Sequence, residues 1–493
     1  MSIPIFSEME TNFAVIQSRF EHCSDLTMYR WSYGPKLGNK ALSIYFDTLV
    51  LDKRTNYFRQ TLQDLITHKL GAGTEVTLEM IITCFSHHVT SQESAFLIET
   101  MEQAEQFLLS GCLVIFIDGW NQAICYRTGR FETRQVNEPV TEPVVQGPRE
   151  STIENLKKNI GMIRTRIQSA SVKFHLIKTG GRARTTLAFG YVDGAVKPEV
   201  LAAFVDRISK LPDSDILETS YVEDFLEERT WSPFPQYRYT ERTDVAAAAM
   251  LSGKIVVLVE GTGSVLICPA TFFELLQSSE DFYQRTIIAN CIRLLRLFAF
   301  LIALGLPSLY IAISTFHTEL IPTVLLLAII DSREGIPFPA FAEAIIMVFI
   351  FEVLREAGIR LPRPVGSAVS IVGALVVGEA AISAGIASPI MVVIIALTGI
   401  ASFALPQYNL AIALRLLQLP LMILSAMLGV FGFMIGCLLI WIHLIQLKSL
   451  GVPYMAPLAP WTPSEMQETV YRKPLRRLMK KDKQSRSPLR GKS

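Results

Sequence analysis

The chain has 493 residues, half of them hydrophobic and only 18% charged, with 46 Lys and Arg against 45 Asp and Glu. Near-neutrality excludes a generally basic nucleic-acid binder, and the apolar excess is foreign to a soluble enzyme of this length. Globular patterning runs to about Glu280, apolar runs dominate from Leu297, and polarity returns after about Lys448.

The N-terminus, "MSIPIFSEMETNF", has no basic region followed by an apolar core, so no signal peptide is expected and the soluble part is expected in the cytoplasm. The seven cysteines lack disulfide-framework spacing and read as reduced thiols. Residues 42–52 and 111–119 have strand composition, and Asp118-Gly119 is a turn pair from which "QAICYRT" returns as a hairpin. "CFSHH" (84–88) lacks a second ligand pair and reads as ordinary histidines rather than a metal site.

Residues 138–151, "EPVTEPVVQGPRES", form an extended connector, because Pro139, Pro143 and Pro148 fix their own backbone and that of the preceding residues, while Gly147 permits a turn. Ser151 followed by Glu154 has capping-box spacing, and Ile153, Leu156, Ile160, Ile163 and Ile167 predict an amphipathic helix. "SVKFHLIKTG" and "RTTLAFGYV" then read as adjacent strands, residues 197–211 as an amphipathic helix, and residues 254–270 as a hairpin around Gly261 to Gly263. "KTGGRART" lacks Walker spacing and reads as a hairpin tip. No nucleophile-base or H-E-x-x-H pattern anchors catalysis, so no enzyme and no cofactor are expected.

A hydrocarbon core about 30 Å thick needs about 20 mostly apolar helical residues. Candidate spans are 297–314, 340–354, 367–385, 389–405 and 421–444, the last preceded by an amphipathic piece with Arg415 and then Pro420; 321–330 is too short to span and reads as a re-entrant or interfacial helix. Arg285, Arg293 and Arg296 before the first span and the basic tail after the last put both ends in the cytoplasm, which requires an even number of crossings. From Arg472 to Lys492 that tail holds ten Lys and Arg against one Asp, and without interleaved aromatics it suits anionic headgroups better than nucleic acid. Glu343, Glu352 and Glu379 are ionisable at membrane depth, with Arg355 and Arg415 as partners, and are candidate pore or intramembrane polar residues. Glu352 and Arg355 are spaced for an interfacial ion pair; Glu379, among Gly, Ala and Ser, either faces a water-filled path or sits protonated in a helix interface.

The connector resembles the "EP-T-E-VVRGPREGF" signature of the A subunits of GerA-type bacterial spore germinant receptors. The resemblance continues collinearly over roughly residues 40 to 475 through "ENLKKNIGMIRTRI", "SPFPQYRYTERTD", "LPSLYIAISTFHTELIPTVLLLAI", "REGIPFPAFAEA", "FEVLREAGIRLPRPVGSAVSIVGALVVGEAAISAGIASP" and "GVPYMAPLAP". Gln146 and Ser151 depart from the usual Arg and Gly. The resemblance implies a multi-pass subunit of the spore inner membrane, an oligomer expected to be pentameric that conducts ions. A transporter-like B subunit would bind the nutrient and a lipoprotein C subunit would complete the receptor. The alternative it leaves is an accessory spore-membrane ion channel or transporter subunit related to the dipicolinate-release proteins.

The expected architecture is thus a multidomain α/β plus α-helical integral membrane protein. Its parts are an N-terminal segment (1–40), cytoplasmic α/β subdomains at 41–137 and 152–285 joined by the 138–151 connector, a transmembrane helical domain (286–448) and a basic cytoplasmic tail (449–493). Membrane lipid is an expected partner and nucleic acid is not. Glu138, Pro139, Glu142, Gly147, Pro148, Arg149 and Glu150 are the candidate connector and subunit-contact residues.

Overall fold

A computed structural model describes residues 3–33, 37–50, 79, 95–127, 139, 141–179, 181–211, 215–360, 376–463, 466, 469 and 471–473. The chain divides into one unit made of Met1–Glu227 with Tyr239–Pro269, and a second made of Glu228–Arg238 with Ala270–Ser493. The polypeptide therefore passes between the units three times. The division falls before the predicted boundary at 286 and moves residues 228–238 out of the 152–285 subdomain to which the sequence assigns them.

The first unit is a tandem repeat. Strands β1 (Leu26–Tyr33), β2 (Asn39–Phe46), β3 (Ala95–Ile98), β4 (Cys112–Ile117) and β5 (Ala123–Arg127) form a sheet in the order β1-β2-β4-β5-β3. Strands β6 (Val172–Lys178), β7 (Thr186–Val192), β8 (Arg238–Thr240), β9 (Ile255–Val259) and β10 (Val265–Cys268) form another in the order β6-β7-β9-β10-β8, the same pattern. The hairpins β4-β5, β6-β7 and β9-β10 are antiparallel as the sequence predicts. Helix α1 (Met9–Arg19) precedes the first sheet and α2 (Met101–Leu109) enters before β4; α3 (Leu156–Arg166) and α6 (Thr243–Leu251) hold the equivalent places in the second. The second repeat carries α4 (Pro198–Ser209) and α5 (Thr219–Leu226) between β7 and β8; most of the stretch between β2 and β3 lies outside the described residues.

Polar clamps repeat too. Buried Asn12 accepts from the Phe6 amide (2.9 Å) and donates to its carbonyl (2.6 Å); buried Asn159 does the same to Ile153 (2.8 and 2.5 Å). The Asp118 carboxylate accepts from the first amide of α1 and Glu260 from that of α3, while Gly119 and Gly261 donate to the carbonyls of Ser7 and Glu154. Both glycines have φ near +85°, which a side chain would strain. These clamps satisfy helix-start donors that would otherwise be orphaned.

Two expectations are corrected here. Residues 1–40 are no separate segment, since Ile5, Met9, Ile16 and Phe20 are core residues of the first repeat. Ser151 is not a helix cap: it bridges Arg242 as Pro4 bridges Thr100, and the helix starts at Leu156 with the Asn155 side chain accepting from the Lys158 amide. Leu156, Ile160, Ile163 and Ile167 do form the predicted buried stripe.

The repeats are joined by a buried charge pair. Arg164, on α3, donates from Nε (2.5 Å) and Nη2 (2.6 Å) to Asp25, just before β1, and both side chains are 1% exposed. Thr48 also donates to Asp25 (2.9 Å), and the guanidinium lies 4.3 Å from the Phe46 ring centroid.

In the second unit, α7 (Thr286–Phe316) contains the predicted span 297–314, and α9 (Ala340–Arg360) and α10 (Pro389–Phe403) contain the predicted 340–354 and most of 389–405. Helix α8 (Thr323–Ser332) is short, as expected, and residues 376–383 are helical; 361–375 lie outside the described residues. The last helical stretch, α11 (Tyr408–Gln446), corrects the sequence twice. It continues through Pro420, and it breaks at Gly429, whose φ is +63° and ψ −143°. A Cβ on Gly432 would strike the Leu424 carbonyl and one on Gly436 the Leu421 side chain, so the chain reverses at Gly429 into two antiparallel arms. The arms, 408–428 and 430–446, are about 30 and 25 Å long at 1.5 Å per residue. The predicted span 421–444 is therefore not one straight helix. Among the described residues α7 and α11 are the helices long and apolar enough to cross a membrane, with mean hydropathies of 2.1 and 2.5. Tyr454 and Met455 are in the core of this unit and Leu450 is buried, so residues just after 448 are packed rather than a free tail.

Candidate functional site

Glu343 lies in the first turn of α9 and is fully buried. Its Oε2 accepts from the Ser388 amide (3.0 Å) and hydroxyl (2.9 Å), and Ser388 in turn caps α10. Its Oε1 lies 3.2 Å from Arg333, which follows α8. One carboxylate thus staples three helix ends, and the positive end of α10 favours its charge. Arg333 lines an open cavity of about 1,040 Å³ with Ser314, Thr318, Asp331 and Glu334. An ionisable residue within an apolar run pointed to Glu343, but the sequence gave neither Arg333 nor Ser388.

The expected Glu352–Arg355 pair forms, and Arg415 joins it at 3.5 Å while donating from Nε to the Ala411 carbonyl. Three of the five candidates therefore make one cluster, separate from the Glu343 staple. Glu379 is exposed on the surface of the single chain.

The connector precedes the second repeat and runs against it in irregular extended backbone, with Gly147 at φ +129°. Glu142 accepts from the Thr240 hydroxyl, the Pro148 carbonyl from Arg242 (2.9 Å), and Glu150 from Arg166 (2.6 Å). Pro139 is buried, Arg149 is exposed, and Glu138 lies outside the described residues, as does "CFSHH". Arg242, fully buried and also paired with Asp244 (2.9 Å), is the anchor that sequence reasoning missed. Its fit depends on residues nearly 100 positions away.

A second missed element is residues 228–238, the excursion that belongs to the helical unit. Phe234 is 1% exposed and packs in one core with Phe272, Phe300 and Leu444. The Pro235 carbonyl accepts from the Tyr454 hydroxyl and the Gln236 carbonyl from the Ser449 hydroxyl, both at 2.8 Å, and Ser232 meets His443 at 2.9 Å. In the first unit the roots of this excursion are tied by the Tyr239 hydroxyl donating to Glu223 (2.8 Å).

Burial pushes the Glu223 carboxyl up to about 7, aided by Asp224 and Glu218 against the opposing Tyr239 hydrogen bond. A carboxyl raised above its unfolded value of about 4.5 stabilises the fold below that value, and the contribution is lost as pH rises through about 7. Wild type is therefore expected to lose about 2–3 kcal/mol relative to Glu223→Gln between pH 5 and pH 8. Chemical unfolding of both proteins at each pH measures the difference; parallel profiles would refute the titration.

At the foot of α7, Asp281 is 1% exposed and pairs with Arg296 (2.7 Å) and Arg293 (3.2 Å), the arginines that the sequence offers as a topology signal. Arg472 donates to the Asp281, Gln284 and Phe282 carbonyls, which fixes the chain beyond the last helix against this foot. Among the described residues no group of three or more His, Cys, Asp or Glu is placed to hold a metal ion.

The family model for the Bacillus/Clostridium GerA spore germination protein matches residues 14–484. The uncharacterized membrane protein YfkQ of Bacillus subtilis is 37% identical over 471 residues, covering 96% of this chain and 90% of the relative. Spore germination protein KA of the same organism is 45% identical over 367 residues, 74% of this chain and 68% of the relative. The crystal structure of the N-terminal domain of the A subunit of the Bacillus megaterium germinant receptor GerK3 aligns at 22% identity and TM-score 0.41, covering 55% of this chain and 98% of that one. With a family model spanning both units and relatives this similar over most of their length, the chain belongs to the GerA spore germination protein family.

Proposed function

We propose that this chain is the A-type membrane subunit of a nutrient germinant receptor, multi-pass in the spore inner membrane with both ends on the cytoplasmic side. It acts with a transporter-like B subunit that binds the nutrient and a lipoprotein C subunit, and it assembles as a homo-oligomer, a pentamer, whose helical units conduct ions on triggering. The observation that carries this reading is the family match running unbroken through the soluble repeats and the helical unit. The reversal at Gly429 supports the even number of crossings that two cytoplasmic ends require. In this reading the 228–238 excursion transmits movement, because it is covalently rooted in the soluble unit and its side chains sit in the helical core. Glu352, Arg355, Arg415 and exposed Glu379 are the candidates for facing the ion path, while Glu343 acts from behind as a positioning residue. The connector residues Glu142, Gly147, Pro148, Arg149 and Glu150 hold the second repeat for subunit contact.

Spores lacking this protein, challenged with a panel of amino acids, sugars and nucleosides, are expected to lose potassium release to at least one nutrient. A full nutrient response with slowed ion or dipicolinate release would assign the chain to the accessory channel class instead.

A further inference from the structure

The foot of α7 encloses a cavity of about 330 Å³ whose walls are mostly apolar, formed by Phe273, Leu276, Leu294 and Leu297 with Cys291 and Arg293. Its volume is at the small end of the range for ligand sites. Helix α7 has 31 residues, about 46 Å at 1.5 Å per residue, and so exceeds a hydrocarbon core of about 30 Å. The apolar run starts at Leu297, so the first three turns, and the cavity with them, fall at the headgroup level. Phe282, Tyr283, Ile287 and Phe298 are exposed around the same foot, the composition of an interfacial belt.

Arg293 and Arg296 share the buried Asp281 carboxylate, while Arg472 donates to the Asp281 backbone carbonyl. Arg293 is more than nine-tenths buried and lines the cavity, and its Nη2 has no hydrogen-bond partner among the described residues. A guanidinium with a donor to spare, beside an apolar slot at headgroup depth, fits a molecule that is anionic at one end and aliphatic at the other. Basic pockets at the cytoplasmic ends of membrane helices bind anionic lipid headgroups on this principle.

We propose that this cavity is a specific site for an anionic phospholipid, with an acyl chain in the apolar slot and the phosphate on Arg293. The proposal rests on the membrane placement given above. In the receptor such a lipid would brace the foot of α7 against the segment after the last helix, because Thr469 accepts from both Arg293 (3.2 Å) and Gln277 (2.7 Å) at the cavity wall.

The test uses the full-length protein in nanodiscs of equimolar phosphatidylglycerol and phosphatidylcholine, released into the gas phase for native mass spectrometry of retained lipid. Wild type is expected to retain phosphatidylglycerol over phosphatidylcholine by roughly five-fold, the factor one basic side chain near an anionic surface supplies. Arg293→Gln and Cys291→Trp, the second of which fills the cavity without touching an ion pair, are each expected to abolish the preference. Cys291→Trp decides the matter if Arg293→Gln fails to fold. Equal retention by wild type, a preference that survives either folded variant, or displacement of the lipid by inorganic phosphate alone would overturn the site. Flotation with pure phosphatidylcholine vesicles separates the two readings: protein that does not float refutes the membrane placement, whereas protein that floats but shows no headgroup preference refutes only the lipid site.

Discussion

Replacing Arg164 with Ala is expected to destabilise the first unit by about 3–5 kcal/mol, the usual cost of leaving a buried charge without its partner. Asp25 would keep only the Thr48 hydroxyl while remaining 1% exposed, and the Phe46 ring would lose the guanidinium stacked on it. The pair spans the two repeats, so the loss should loosen one against the other and not merely unfold a helix. Arg166→Ala, two residues on, removes a pair with Glu150 in which the side chains are 25% and 49% exposed. Exposed pairs contribute at most about 1 kcal/mol. Chemical denaturation of the two variants beside wild type measures the contrast, and similar losses in both would show that the Arg164–Asp25 pair does not join the repeats.

What was legible in the sequence follows physical range. Strands β4 and β9 are continuous apolar runs and are buried throughout, so composition alone locates them. Strand β1 mixes exposed and half-buried positions and reads as no clear pattern, while β3 and β8 have four and three residues, too few for a period to show. Helix α6, "TDVAAAAML", is buried on nearly every side and has no polar face to mark it. The duplication escaped because its signature is not apolar spacing. It lies in Asn12 and Asn159, and in the acid-glycine pairs Asp118-Gly119 and Glu260-Gly261, whose shared role appears only when each helix start meets its sheet.

The same logic holds in the helical unit. Pro420 looks like a breaker, yet the helix absorbs it, as apolar bundles do where neighbours re-satisfy the freed carbonyl. Gly429 looks like one more small packing residue and is the turn, because only a residue without Cβ fits a φ of +63° against Phe316. Glu352 and Arg355 were legible as partners from spacing on one helix. Arg333, Glu343 and Ser388 were not, since three helix ends have to converge before they meet.

That convergence sets the second expected result. Glu343→Leu should cost about 2–3 kcal/mol, somewhat below the value for a fully buried pair because Arg333 is 25% exposed and can rehydrate in part. It should also lower nutrient-triggered potassium release at least about ten-fold, since a staple weakened by more than 1.4 kcal/mol shifts the helix ends by that factor in equilibrium. The double variant Glu343→Leu, Arg333→Leu leaves no unpaired charge, so a staple that only holds helix ends together predicts recovery of most of the stability and much of the release. If stability returns while release stays at the single-variant level, the carboxylate charge itself serves the ion path. Release unchanged in the single variant, with the protein at wild-type abundance, would remove Glu343 from the mechanism.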